Sequence, residues 1–185
     1  MSAPNPTPAP AASIPVASSL LASPPPMAVY LGKKMPEICA RSISSDTTQN
    51  QCAHFVSHVM GFDFNATCRN RSTADKAIAG MGAMLRVNEL FKRCPEVGYW
   101  EKRPLGLPSL LIFATISGNM GHDCIRLDMG DHLKKHVGIF VDGKVWHHGK
   151  TQVESDTESA FITKFNHRYI LAGNTVEFFY GSFPV

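Results

Sequence analysis

An α+β fold is what this sequence predicts, on three observations. Apolar residues recur at helical spacing early in the chain. After about residue 105 the period shortens to that of strands, and an Asp142-Gly143 pair stands between two of them. Helices followed by an antiparallel sheet form the segregated arrangement, unlike the alternating strand–helix order of a parallel sheet. No internal repeat is present.

Each element has a local reason. Over residues 52–60, Cys52, Phe55, Val56 and Val59 fall at i, i+3, i+4 and i+7, and Gly61 ends the helix. Residues 72–94, "STADKAIAGMGAMLRVNELFKRC", read as a longer helix. Ser72 and Asp75 have capping-box spacing, an apolar face runs from Ile78 to Phe91, and Pro95 closes it. "LLIFATI" (110–116) is a continuous apolar strand. The segment 117–135 reads as a long inserted loop. "HVGIFV" (136–141) and "KVWHH" (144–148) flank the Asp-Gly turn as a hairpin. Residues 157–169 form a short helix with Phe161, Ile162 and Phe165 on one face, and "TVEFFYG" (175–181) is a late strand.

The 185 residues suffice for one domain with a real core. Residues 1–26 are uncharged and almost all Ala, Pro and Ser, which predicts a disordered tail ahead of a folded domain over 27–185. The net charge of +3 is mild, and no basic run interleaves with aromatics, so a nucleic-acid partner is not expected. The longest apolar run, "PSLLIFATIS", is about half the length needed to span a membrane. Without the basic start of a secretory signal, the protein is expected to be made in the cytoplasm and to reach any outside target by another route.

Five cysteines, Cys39, Cys52, Cys68, Cys94 and Cys124, include no C-x-x-C pair and are odd in number, which argues against a zinc cluster or a disulfide scaffold. Cys52 differs because it opens a helix directly after the polar run "SSDTTQNQ". Free N–H groups and the macrodipole there favour thiolate, and the same N–H groups suit an oxyanion. Cys52 is therefore the candidate nucleophile.

A nucleophilic cysteine needs a base. His54 and His58 share its helix but point away from it. Their i, i+4 spacing suits a metal pair, yet "HFVSH" lacks the glutamate of H-E-x-x-H and no third ligand is evident. They are expected to be solvated or capping residues, and neither a metal nor a cofactor is expected. His136 begins a strand with a defined direction. With Asp142-Gly143 as the turn, His136, Gly138 and Phe140 share a face with Val145 and His147, while His148 falls on the other face. His136 is the candidate base and His147 its orienting partner.

A cysteine opening a helix, then "HVGIF", then a turn and a second histidine resembles the NlpC-type papain-like cysteine peptidases of peptidoglycan over about residues 45–150. That family's nucleophile, base and third residue match Cys52, His136 and His147, although "QCAHFV" replaces the usual D-C-S-G. "QCAHFV" is also similar to the N-C-E-H-F-V of lecithin-retinol acyltransferase-like enzymes, but there the histidine precedes the cysteine. The resemblance implies a papain-like fold and hydrolysis, without a metal, of an amide bond in wall stem peptides. It leaves the second oxyanion donor among Gln49, Asn50 and Gln51. A signal-less enzyme of this size resembles the amidase effectors of contact-dependent (type VI) secretion, which are plugged by an immunity protein. Other thiol chemistries, acyl transfer or deamidation of a protein or lipid, and an inactive papain-like binding module are the alternatives.

Overall fold

The structure, a computed structural model, describes residues 23–62, 68, 84–123, 126–170 and 174–184. The expected tail lies outside these residues as far as residue 22. So does the first part of the helix expected over 72–94.

Three α-helices and eight strands are present among the described residues: α1 (Cys52–Met60), α2 (Val87–Arg93), β1 (Val97–Tyr99), β2 (Ser109–Ile116), β3 (Met120–Asp123), β4 (Arg126–Met129), β5 (Lys135–Val141), β6 (Lys144–His148), β7 (Val153–Thr157), α3 (Glu158–Tyr169) and β8 (Val176–Gly181). Six strands form one antiparallel sheet in the order β1-β8-β2-β5-β6-β7, and β3 and β4 form a separate pair. The α+β class therefore holds.

Two expectations need correction. The segment 117–135 is not a bare loop, because a 3-10 turn (Ser117–Asn119) leads into β3 and β4. The later helix also begins later than expected within the described residues. Arg86 is extended (φ −113°, ψ 128°), so α2 starts at Val87. It stops where it should: Cys94 is extended (ψ 124°) because Pro95 excludes helical geometry from the residue before it.

The sheet is covered on both faces, and the core is accordingly double. Phe55 and Val56 of α1 and Leu90 and Phe91 of α2 pack with Leu111, Phe113, Val137 and Ile139 on one face. Phe161, Phe165 and Tyr169 of α3 pack with Ile112, Ala114 and Val145 on the other. β2 lies between β5 and β8 with both sides covered, which is why "LLIFATI" is apolar without alternation.

The Asp142-Gly143 turn sets the register. Both residues are left-handed (φ 50° and 76°), as a type I′ turn requires. Val141 pairs with Lys144, Phe140 with Val145 and Ile139 with Trp146. Alternation then sends His136 and His147 to the α3 face, and Trp146 joins the α1 core on the other.

Gly138 lets the two histidine strands approach. A Cβ at this position would lie 2.6 Å from Cγ1 of Val145 and 3.2 Å from both Cβ of His147 and the carbonyl oxygen of Trp146. Gly138→Ala is expected to destabilise the protein by about 1–3 kcal/mol, the usual range for overpacking. Urea unfolding of the purified variant checks this, and an unchanged midpoint would contradict the close approach.

Candidate active site

Four side chains on four consecutive elements line up on the α3 face. Asp156 lies on β7, His147 on β6, His136 on β5 and Lys164 on α3. Pairing of β6 with β7 sets Asp156 opposite Val145 and Glu154 opposite His147. Lys164 Nζ donates to Glu154 Oε2 at 2.9 Å and also to Asp156 Oδ2. Asp156 Oδ2 lies 2.9 Å from His147 Nε2, and His147 Nδ1 lies 3.0 Å from His136 Nε2.

This chain dictates its own protons. Burial alone would raise the Asp156 carboxyl, but hydrogen bonds from Lys164 and His147 hold it below the usual carboxylate value, so it only accepts. His147 must then carry its proton on Nε2, which leaves a lone pair on Nδ1. His136 must donate to that lone pair from Nε2, which leaves a lone pair on its own Nδ1. Burial lowers both imidazoles from their ordinary value. His136 is lowered further because a second proton on it would be repelled by His147 if that ring were also charged, and by Arg168, while His147 is partly restored by Asp156. Both rings are neutral at pH 7, as the one-donor, one-acceptor pattern demands. The His136 ring stacks on Phe165 at 4.3 Å between centroids, and Phe161 packs edge-on against His147 at 5.2 Å.

Cys52 is the first residue of α1 and is 0% exposed. Asn50 ties the helix start to the start of β5: its Oδ1 accepts from the Cys52 backbone N–H at 3.2 Å and its Nδ2 donates to the Lys135 carbonyl at 3.1 Å. Burial pushes the thiol up to about 12, against the pull of the Val137, Ala53 and Cys52 backbone N–H groups and of Asn50. This corrects the expectation of a resting thiolate. A rise from 9.0 to about 12 corresponds to about 4 kcal/mol, whereas a helix terminus supplies at most about 2 kcal/mol.

The structure brings His136 and His147 together. It brings Cys52 to the same strand without a hydrogen bond to His136 among the described residues. Cys52 belongs to the α1-side core, while the His136 ring lies against α3. A cavity of about 200 Å³ opens beside the start of α1, lined by Ile43, Gln49, Asn50, Gln51, Leu85 and Arg86.

The remaining candidates separate cleanly. Gln51 is not an oxyanion donor. It is turned inward, and its amide donates to the carbonyls of Ile43 (2.9 Å) and Asp46 (3.1 Å). His54 is 0% exposed, so the expectation of a solvated or capping residue fails for it. His148 keeps off the relay and donates from Nδ1 to the Gly149 carbonyl at 3.0 Å. Asp156, Glu154 and Lys164 were not anticipated. The signal was the alternation in "VESDT", where two acidic residues face one side of a short strand directly after the histidine hairpin.

The low value of Asp156 has a stability consequence. Its contribution is fully present above the ordinary carboxyl value of about 4 and is lost as pH falls through its lower folded value. His147 on β6, Glu154 on its own strand and Lys164 on α3 are the ionisable groups around it. The stability difference between the parent and Asp156→Asn, from urea melts, is therefore expected to stay level from about pH 7 to 5 and to shrink below about pH 4. A difference independent of pH throughout would contradict the relay.

Comparison of the chain with family models, curated proteins and solved structures returned no match, so the geometry above carries the functional reading.

Proposed function

We propose that this protein is a papain-like cysteine hydrolase of the NlpC type that cleaves an amide bond in peptidoglycan stem peptides. The observation that carries the reading is the relay from Lys164 through Asp156 and His147 to His136. It ends in an imidazole whose free lone pair sits on Nδ1, in the strand that the start of α1 is tied to. A buried structural histidine pair has no need of an ionised carboxylate and a lysine behind it, whereas a general base that must become cationic does.

The chemistry follows from the resting charges. Cys52 and His136 are both neutral, so His136 Nδ1 takes the thiol proton as Sγ attacks the carbonyl carbon. The imidazolium formed keeps its hydrogen bond to His147, with Asp156 behind it. The Cys52 N–H is held by Asn50, so the Ala53 N–H of the first turn is the better-placed donor for the oxyanion. His136 then protonates the leaving amine, and a water deprotonated by His136 hydrolyses the thioester. Cys52 lies in the α1-side core and the His136 ring against α3, so the scheme requires the start of α1 to carry the sulfur to His136 Nδ1 when substrate binds. Delivery into the periplasm of a target cell, and inhibition by an immunity protein, belong to the same proposal and rest on the resemblance to secreted amidase effectors.

One observation favours the second reading, an inactive papain-like binding module. The thiol is fully buried and pushed up to about 12, as an inert core cysteine would be.

Digestion of purified peptidoglycan, with mass analysis of the released fragments, separates the two and identifies the bond. The parent is expected to release stem-peptide fragments, Cys52→Ala none, and His136→Ala less than about a thousandth of the parent rate. His147→Ala is expected to lose about 10- to 100-fold, and His148→Ala to stay within a few-fold. Fragment release by Cys52→Ala at the parent rate sinks the nucleophile assignment. An inactive parent with an intact fold favours the binding module.

A further inference from the structure

Behind Cys52, on the α1 side of the sheet, lies a second cluster that the hydrolase scheme does not use. Cys39, His54, His58 and Cys68 converge so that one ligand atom from each lies within 4.8 Å of all the others. Cys39 Sγ and Cys68 Sγ are 3.7 Å apart, and His58 Nε2 is 3.2 Å from Cys68 Sγ. The sulfur pair is far beyond the roughly 2.05 Å of a disulfide. It matches the edge of about 3.8 Å that two metal–thiolate bonds of about 2.3 Å make at a tetrahedral angle.

The histidine between them is oriented for a ligand. Gln51 uses its amide nitrogen on the carbonyls of Ile43 and Asp46, so its Oε1 can only accept. That oxygen lies 2.7 Å from His54 Nδ1, which must therefore be the protonated nitrogen. The proton is excluded from Nε2. The Nε2 lone pair is fully buried and has no hydrogen-bond partner among the described residues. A buried nitrogen that can only accept, and that meets no donor within hydrogen-bond reach among the described residues, calls for an electrophile. The Gln51 contact is also what a metal-ligating histidine ordinarily makes with its other ring nitrogen. A further supporting contact comes from the Arg41 backbone N–H, which lies 3.4 Å from Cys39 Sγ and donates to it.

We propose that Cys39, His54, His58 and Cys68 bind a structural zinc ion as a Cys2His2 site. Two thiolates and two neutral imidazoles around a divalent cation make a set of zero net charge, which can be buried without a counterion. The mixed soft-sulfur and imidazole donors select zinc over calcium or magnesium. The i, i+4 histidines occupy one face of α1, and Cys39 follows the 3-10 turn Met35–Glu37. The ion thus fastens the chain before and after α1 to the helix that carries Cys52. It plays no part in turnover.

The inference is independent of the hydrolase reading, because Cys52→Ala should lose turnover and keep its zinc. The test uses the untagged full chain, expressed with zinc supplied and purified with its thiols reduced. Elemental analysis is expected to find one zinc per chain, and a strong chelator to lower the melting temperature by about 10 °C or more. Cys39→Ser and His58→Ala are each expected to lose the bound zinc. Should both fail to fold, cobalt(II) added to the chelator-stripped parent gives the second measurement. The expected spectrum combines intense tetrahedral d–d bands with thiolate-to-metal charge transfer. A reduced, folded parent that holds no zinc and shows no such cobalt spectrum overturns the site. So does full retention of zinc by both variants, or a parent in which Cys39 and Cys68 are disulfide-bonded and no metal binds after reduction.

Discussion

A neutral imidazole has one donor and one acceptor, and a buried one must use both in a fixed order. On each face of the sheet, one group with no choice of role imposes that order. On the α3 face it is Asp156, kept ionised by Lys164 and so only an acceptor. On the α1 face it is Gln51, whose amide nitrogen is committed to two backbone carbonyls. From these two points the protons of His147, His136 and His54 follow without further assumption, and each row ends in a lone pair: Nδ1 of His136 and Nε2 of His54. The two proposed activities of the molecule, proton abstraction and metal binding, are two uses of that one constraint.

The fold places these ends where they matter. The two faces of β5 and β6 carry different chemistry because strand side chains alternate, and the type I′ turn at Asp142-Gly143 sets which histidine goes to which side. Asn50 then ties the start of α1 to Lys135, one residue before His136. Gln51 and Cys52 are adjacent, so the same helix start orients His54 through one side chain and presents the thiol through the next. Displacing α1 disturbs both sites together.

What was legible in the sequence is what depends on neighbouring residues alone. The α1 boundaries, the hairpin register and the opposite facing of His147 and His148 follow from helical period, a left-handed Gly61 and an Asp-Gly turn. What was not legible depends on distant partners. "VESDT" has the alternation of a strand, but only its pairing with β6 brings Asp156 to His147. The histidine pair of α1 seemed to lack further ligands because Cys39 is fifteen positions before His54 and Cys68 ten after His58. Spacing rules for zinc motifs look for cysteines in pairs, and here each comes singly.

The thiol shows how a local argument loses to a global one. A cysteine at a helix start is drawn toward thiolate by N–H groups within one turn, an effect of at most about 2 kcal/mol. Here the same helix is buried through its first two turns, with Cys52, Ala53, His54, Phe55, Val56 and Ser57 all inside. Removal from water outweighs what the helix start returns, since the rise to about 12 is what remains after the N–H groups have acted. A nucleophile in that position does not rest as a thiolate, and its proton must leave during attack. The acceptor must then lie at strand height, stay neutral at rest and tolerate a positive charge for the lifetime of the intermediate. His136 satisfies the second condition through its aromatic and cationic surroundings and the third through His147 and Asp156. The first is where the start of α1, held by Asn50, has to carry the sulfur.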